Sequence, residues 1–266
     1  MILASSFFDH VLDTRHWHIF ESIGLGLKLP APLSKFIVLE LIAAGLIAFF
    51  FIRLARKVQN GEPARGWWWN SLEVLLTFIR NEVAKPCIGE HDADKYVPFL
   101  WTMFLFILVN NLLGILPFMG SATGSFWVTS ALALCAFGLI HGAAVWKHGP
   151  VHYVKSYYPH IDAPGGALIG AFIMFIEIMG HFIKTFVLAV RLYANIFAGH
   201  TVLAVILYFV VMAKHAPGYL FWPIGIGSSL FIVALSFLEL FIAFLQAYVF
   251  VFLTSIFLGM TLHPEH

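Results

Sequence analysis

From Ala167 to Ala213 the chain runs for some 47 residues, and from Tyr219 to Leu262 for some 44, almost without charge. The first stretch holds Glu177, His181, Lys184, Arg191 and His200; the second holds only Glu239. A hydrocarbon core about 30 Å thick needs about 20 apolar helical residues. At a rise of 1.5 Å per residue, each stretch would extend about 65–70 Å if continuous. Each is therefore either two spans or one long, strongly inclined helix. Neither holds a charged, Gly/Pro-rich break long enough for a polar hairpin, so two long tilted helices are expected.

Three shorter stretches are also long enough to span: residues 36–52, 98–118 and 126–146. Only 11% of the 266 residues are charged and 61% are hydrophobic, whereas soluble domains carry about 25% charged residues. The fold expected is an all-α polytopic membrane protein with about five membrane helices in a single membrane domain. A net charge of +1 gives no ground for a nucleic-acid partner. Cys87 and Cys135 form no CxxC pair, so neither a disulfide framework nor a thiolate metal site is expected. The N-terminus has no basic region followed by an apolar core and a cleavage site, so no cleavable signal peptide is read. Residues 1–34, with His16 and His18, read as an amphipathic segment on the outer side. No internal repeat is visible.

Lysine and arginine set the orientation. Arg53, Arg56, Lys57, Arg65, Arg80 and Lys85 lie between the first and second spans, and Lys147 and Lys155 follow the third; residues 119–125 have none. Five crossings with the basic loops inside put the N-terminus outside and the C-terminus inside. Within the first basic loop, residues 67–85 begin with three tryptophans and mix apolar with polar faces, as suits a helix lying in the inner interface. Glu73 in its middle argues against a sixth span.

The polar residues at membrane depth are few enough to take singly. Glu177, Lys184 and Arg191 are each seven apart, 20° short of two helical turns, and share a stripe. His181 follows Glu177 by four, and Asn195 follows Arg191 by four, both within side-chain reach on a helix. Glu239 and Gln246 share a face of the final stretch in the same way. Glu177, the nearest carboxylate in sequence, lies about 21 Å along the helix from Arg191, too far for a direct pair. An ionisable residue inside a membrane is by default a functional-site hypothesis, and an unpaired fixed cation invites a carboxylate on another protein. Asn110 and Asn111 are expected to hydrogen-bond to neighbouring helices. His148 and His152 have a metal-binding spacing, but Gly149-Pro150 lies between them, and no metal site or cofactor is expected.

These residues also carry a family resemblance. VLAVRLYANIFAGH (187–200) resembles the signature L-x-x-R-L-x-x-N-x-x-A-G-[H/E] of subunit a of the F-type, rotary, proton-translocating ATP synthase. Arg191 falls on the family's essential arginine, Asn195 on its asparagine, and His200 on a position that is Glu or His. ELFIAFLQAYVF (239–250) is similar to the family's segment with an ionisable residue followed by L-Q-A-x-[VI]-F; Gln246 matches the glutamine, and Glu239 a position that is His where the other is Glu. Residues 111–117 (NLLGILP) resemble a further element, N-x-x-[GD]-x-x-P. Residues 123–134 are like T-x-N-x-x-V-T-x-A-L-A, but with Ser125 and Trp127 at the usual small polar or Asn positions, so no channel role is carried onto that loop.

The resemblance implies a non-catalytic stator subunit of the membrane sector, with two long slanted helices against a ring of c subunits. It also implies subunit b of the peripheral stalk, the rest of the complex and the lipid bilayer as partners. Two proton half-channels would reach a ring carboxylate facing Arg191, with Glu239, His200, Glu177, Asn195 and Gln246 as further proton-translocation residues. The expected location is the bacterial plasma membrane, or alternatively the mitochondrial inner membrane. A secondary transporter would commonly show internal repeats, and a His-box metalloenzyme several clustered histidine sets; neither pattern is present.

Overall fold

The computed structural model describes residues 35–58, 66–115, 122–156, 166–213 and 218–263, though a few side chains within these ranges, that of His200 among them, are not described. The expected segment 1–34 and residues 116–118 of the second expected span lie outside them. The described residues form helices α1 (Lys35–Val58), α2 (Trp67–Phe78), a π-helical stretch (Ile79–Ala84), α3 (Lys85–Ile88) and α4 (Glu90–Ile115). A 3₁₀ turn (Ala122–Gly124) follows, then α5 (Phe126–His148), α6 (Pro150–Ser156), α7 (Gly166–Ala213) and α8 (Gly218–Leu262). Five of these, α1, α4, α5, α7 and α8, are long and apolar enough to cross a membrane. The chain is an all-α polytopic membrane protein.

Helices α7 and α8 run unbroken for 48 and 45 residues, about 72 and 68 Å. Each apolar stretch is thus one helix. Helix α1 passes its expected end at Ile52 and continues to Val58. Its charged last turns remain helical because long basic side chains can lie along apolar surface: the Arg53 guanidinium sits 3.8 Å from the centre of the Phe49 ring.

Helix α4 starts at Glu90, eight residues before Pro98, and carries that proline inside it. Glu90 and Asp92 in the first turn complement the positive helix end, which favours the earlier start. The expected interfacial helix 67–85 begins at Trp67 but is not uniform. Pro86 has no N–H to give residue 82, and its ring would crowd that carbonyl in an α-helix. The widened π turns just before it accommodate both defects. Gly89, with φ 100°, then ends α3; such a left-handed backbone costs glycine little and other residues more.

Packing divides the chain into two units. The first holds the described residues within 1–56, 105–128 and 192–247; the second holds those within 57–104, 129–191 and 248–266. In the first unit Asn111 is the central polar link. Its Nδ2 donates to the Ala243 carbonyl of α8 at 3.3 Å, and its Oδ1 accepts from the Thr123 hydroxyl at 2.8 Å. Ile107, Leu192, Ile196, Ala243 and Ala247 are buried in this unit. Asn110 instead donates to the Phe106 carbonyl of its own helix.

In the second unit the Trp101 indole donates to the Leu76 carbonyl at 2.9 Å, tying α4 to α2. A methyl group at Gly259 of α8 would overlap the Cys87 carbonyl, so these backbones meet where one residue is only a hydrogen. Val83, Ile88, Leu100, Phe250 and Leu258 are buried. At the charged end of the unit, Arg80 grips Asp94 with two hydrogen bonds, 2.7 and 2.8 Å. Asp92 is 2.6 Å from Lys147 and 3.5 Å from His263.

Candidate functional site

Because α7 is continuous, the seven-residue spacing of Glu177, Lys184 and Arg191 places all three along one stripe, within the second unit. Glu177 and Lys184 are exposed. The Lys184 ammonium lies 5.1 Å from the centre of the Phe257 ring, a cation–π contact. Arg191 is half-buried, and its Nε is enclosed without a hydrogen-bond partner among the described residues. No ion pair to Arg191 occurs among the described residues. Leaving a charged group's donor unsatisfied is costly. Earlier on the same helix Phe182, Ile183, Phe186 and Val187 are exposed, whereas Leu188, Ala189 and Leu192 beside Arg191 are buried.

The first unit holds Asn195, Glu239 and Gln246. One Glu239 oxygen occupies the space where a side chain at Gly199 would begin, and the other oxygen is buried without a partner among the described residues. The residue adjoining His200 is therefore in contact with Glu239. The His200 side chain itself lies outside the described residues. Gln246 is buried, with its Nε2 unpartnered among the described residues, and Asn195 is half-buried one turn beyond Arg191. Thus Arg191 Nε, one Glu239 oxygen and Gln246 Nε2, on two helices, are buried polar atoms without a hydrogen-bond partner among the described residues.

The seat at Gly199 was not foreseen from the sequence, since a glycine next to His200 does not reveal what fills the space it leaves. His148 donates from Nε2 to the Leu262 carbonyl at 3.1 Å. Gly149, with φ 79°, breaks the helix directly after it, so the helical spacing that would pair it with His152 is interrupted. Among the described residues no group of three or more His, Cys, Asp or Glu side chains lies close enough to hold a metal.

Five helices long and apolar enough to cross a membrane, two of them about twice the usual length, define a polytopic membrane protein, and on the two long ones Arg191 and Glu239 each hold a buried polar atom without a hydrogen-bond partner among the described residues. The family described as ATP synthase A chain matches residues 37–259. The chain is 34% identical to ATP synthase subunit a of Chloroherpeton thalassium, over 97% of its own length and 77% of the relative's. It is 33% identical to the Myxococcus xanthus protein of that name, over 97% and 87% of the two lengths. To ATP synthase subunit a 2 of Chlorobaculum tepidum it is 39% identical, over 96% and 72%. The chain belongs to the ATP synthase A chain family.

Proposed function

We propose that the chain is the non-catalytic, proton-conducting stator subunit of the membrane sector of an F-type ATP synthase. The observation that carries this reading is Arg191: a guanidinium at membrane depth whose buried Nε has no hydrogen-bond partner among the described residues, on a helix that also exposes Phe182, Ile183, Phe186 and Val187 as an apolar face. In the assembled complex that face meets a ring of c subunits, and each ring carboxylate passes Arg191 in turn.

A carboxylate in lipid must stay protonated, because burying it ionised is too costly. Opposite Arg191 the ionised form becomes favourable, since a nearby opposite charge lowers a carboxyl pKa. Arginine suits this role because it stays charged at any accessible pH, whereas a buried lysine can neutralise. The fixed cation also repels protons and so prevents direct passage between two half-channels. A proton leaves the ring on one side of Arg191, another binds on the other side, and the ring turns in between.

Glu239 and His200 act as one coupled relay in one half-channel. The contact of Glu239 with Gly199, the residue before His200, supports that pairing. Glu177, exposed on the stripe of Arg191, serves the other half-channel, and Asn195 and Gln246 position the guanidinium or water around it. The distribution of basic residues supports an external N-terminus and a cytoplasmic C-terminus. The three relatives named are bacterial, which supports the bacterial plasma membrane. Subunit b of the peripheral stalk completes the set of partners.

Arg191→Lys tests the reading. ATP-driven proton pumping in inverted vesicles should be abolished while the complex still purifies intact; pumping retained at the unsubstituted rate would falsify the proposal.

A further inference from the structure

Within the second unit, three ionisable side chains from three helices meet. The His141 Nδ1 of α5 is hydrogen-bonded to the Tyr153 hydroxyl of α6. The His181 ring of α7 stands edge-on to that of His141, with centroids 5.2 Å apart and planes at 71°. His141, Tyr153 and His181, with Phe137, Met174 and Phe182, line a cavity of about 200 Å³. His141 interrupts the apolar run of α5, and a purely structural aromatic cluster would have been served by phenylalanine there.

We propose that His141, Tyr153 and His181 form a proton relay serving the half-channel on the basic side of the membrane. The proposal rests on the stator reading and adds residues to it. An imidazole accepts a proton at one ring nitrogen while releasing the one held at the other, and a phenol hydroxyl both donates and accepts. A proton entering at Tyr153 passes to His141 Nδ1, another leaves from His141 Nε2 towards His181, and no net charge remains once it has gone. Resetting the tautomers needs ring reorientation, and the adjoining cavity supplies the room.

Position fits the role. His141 lies six residues before Lys147, about 9 Å from the charged end of α5, and His181 lies ten residues before Arg191, about 15 Å along α7. The relay therefore lies between the Lys147–Asp92–His263 cluster and the level of Arg191. Among the described residues, the charged groups nearest in sequence are Glu177, one turn before His181, Lys184, three residues after it, and Lys155 of α6, two residues after Tyr153. Helix α8 presents the neutral Phe257 ring to Lys184.

The test is passive proton flux through membranes stripped of the soluble ATPase head, driven by a potassium diffusion potential. Tyr153→Phe removes only the hydroxyl, His141→Asn keeps a polar group near the Nδ1 position without titrating, and His181→Phe keeps the ring area. Rebinding of the soluble head with restored ATPase activity shows which variants are assembled. Flux is expected to fall by roughly tenfold or more. Unchanged flux in the assembled variants overturns the relay and leaves the stator reading standing. Stripped membranes that are proton-tight with the unsubstituted chain would instead overturn the stator reading, and the relay with it.

Discussion

Glu239 reaches helix α7 because residue 199 has no side chain, and the space a Cβ would fill is taken by a carboxylate oxygen. Gly199→Ala should push that carboxylate aside without unfolding the helix, since the clash is with the far end of a flexible side chain. Proton-driven ATP synthesis should slow while the complex still assembles. Glu239→Gln keeps the shape and removes the titratable proton, and passive proton conduction should drop on the order of tenfold or more; an unchanged rate would remove Glu239 from the relay. A third test at this scale concerns Cys87, where burial pushes the thiol pKa up. Only the thiolate reacts, so the raised pKa means less thiolate at neutral pH. Maleimide labelling of Cys87 in detergent should be slow at pH 7 and accelerate as pH rises through 9; fast labelling at pH 7 would contradict the burial. The identities of Arg191, Asn195, Glu239 and Gln246 as notable residues were legible from their isolation among apolar neighbours. The seat of Glu239 and the joining of His141 to Tyr153 were not, because both depend on residues 12 or more positions apart.

At the scale of elements, apolar length and helical rise foretold α7 and α8 closely, down to their being single helices. The interfacial segment was harder. Its start at Trp67 follows from the aromatic cluster, but the π turns at 79–84 arise from the backbone conflict that Pro86 imposes. The expected span is counted from residue 98, yet α4 extends back to Glu90. Helix formation there does not stop at the edge of the apolar run, since the polar first turns carry Glu90 and Asp92 at the positive helix end. The close approach of α8 to α3 at Gly259 is also a tertiary fact. Gly259→Ala should separate these backbones, because the obstructing atom is the Cys87 carbonyl and cannot swing away. Overpacking of this kind costs about 1–3 kcal/mol, and a lower thermal unfolding midpoint in detergent checks it.

For the whole molecule, the basic residues argue for one orientation in the membrane. An epitope tag at the C-terminus should be reached by antibody in inverted vesicles and shielded in right-side-out ones; the reverse pattern would overturn the assignment. By itself the sequence determined the class of fold, since a chain with 11% charged residues and two apolar stretches of more than 40 has few alternatives to helices in a bilayer. It also determined which charges are exceptional, because burial cost is set by residue type and surroundings along one helix. The tertiary structure alone decided which groups meet: Asn111 with Ala243 and Thr123, Glu239 with Gly199, His141 with Tyr153 and His181. The reason is physical. Helix formation follows from local chemistry and solvent, whereas contacts between helices depend on which small residues allow close approach, and on a packing no single stretch of sequence contains.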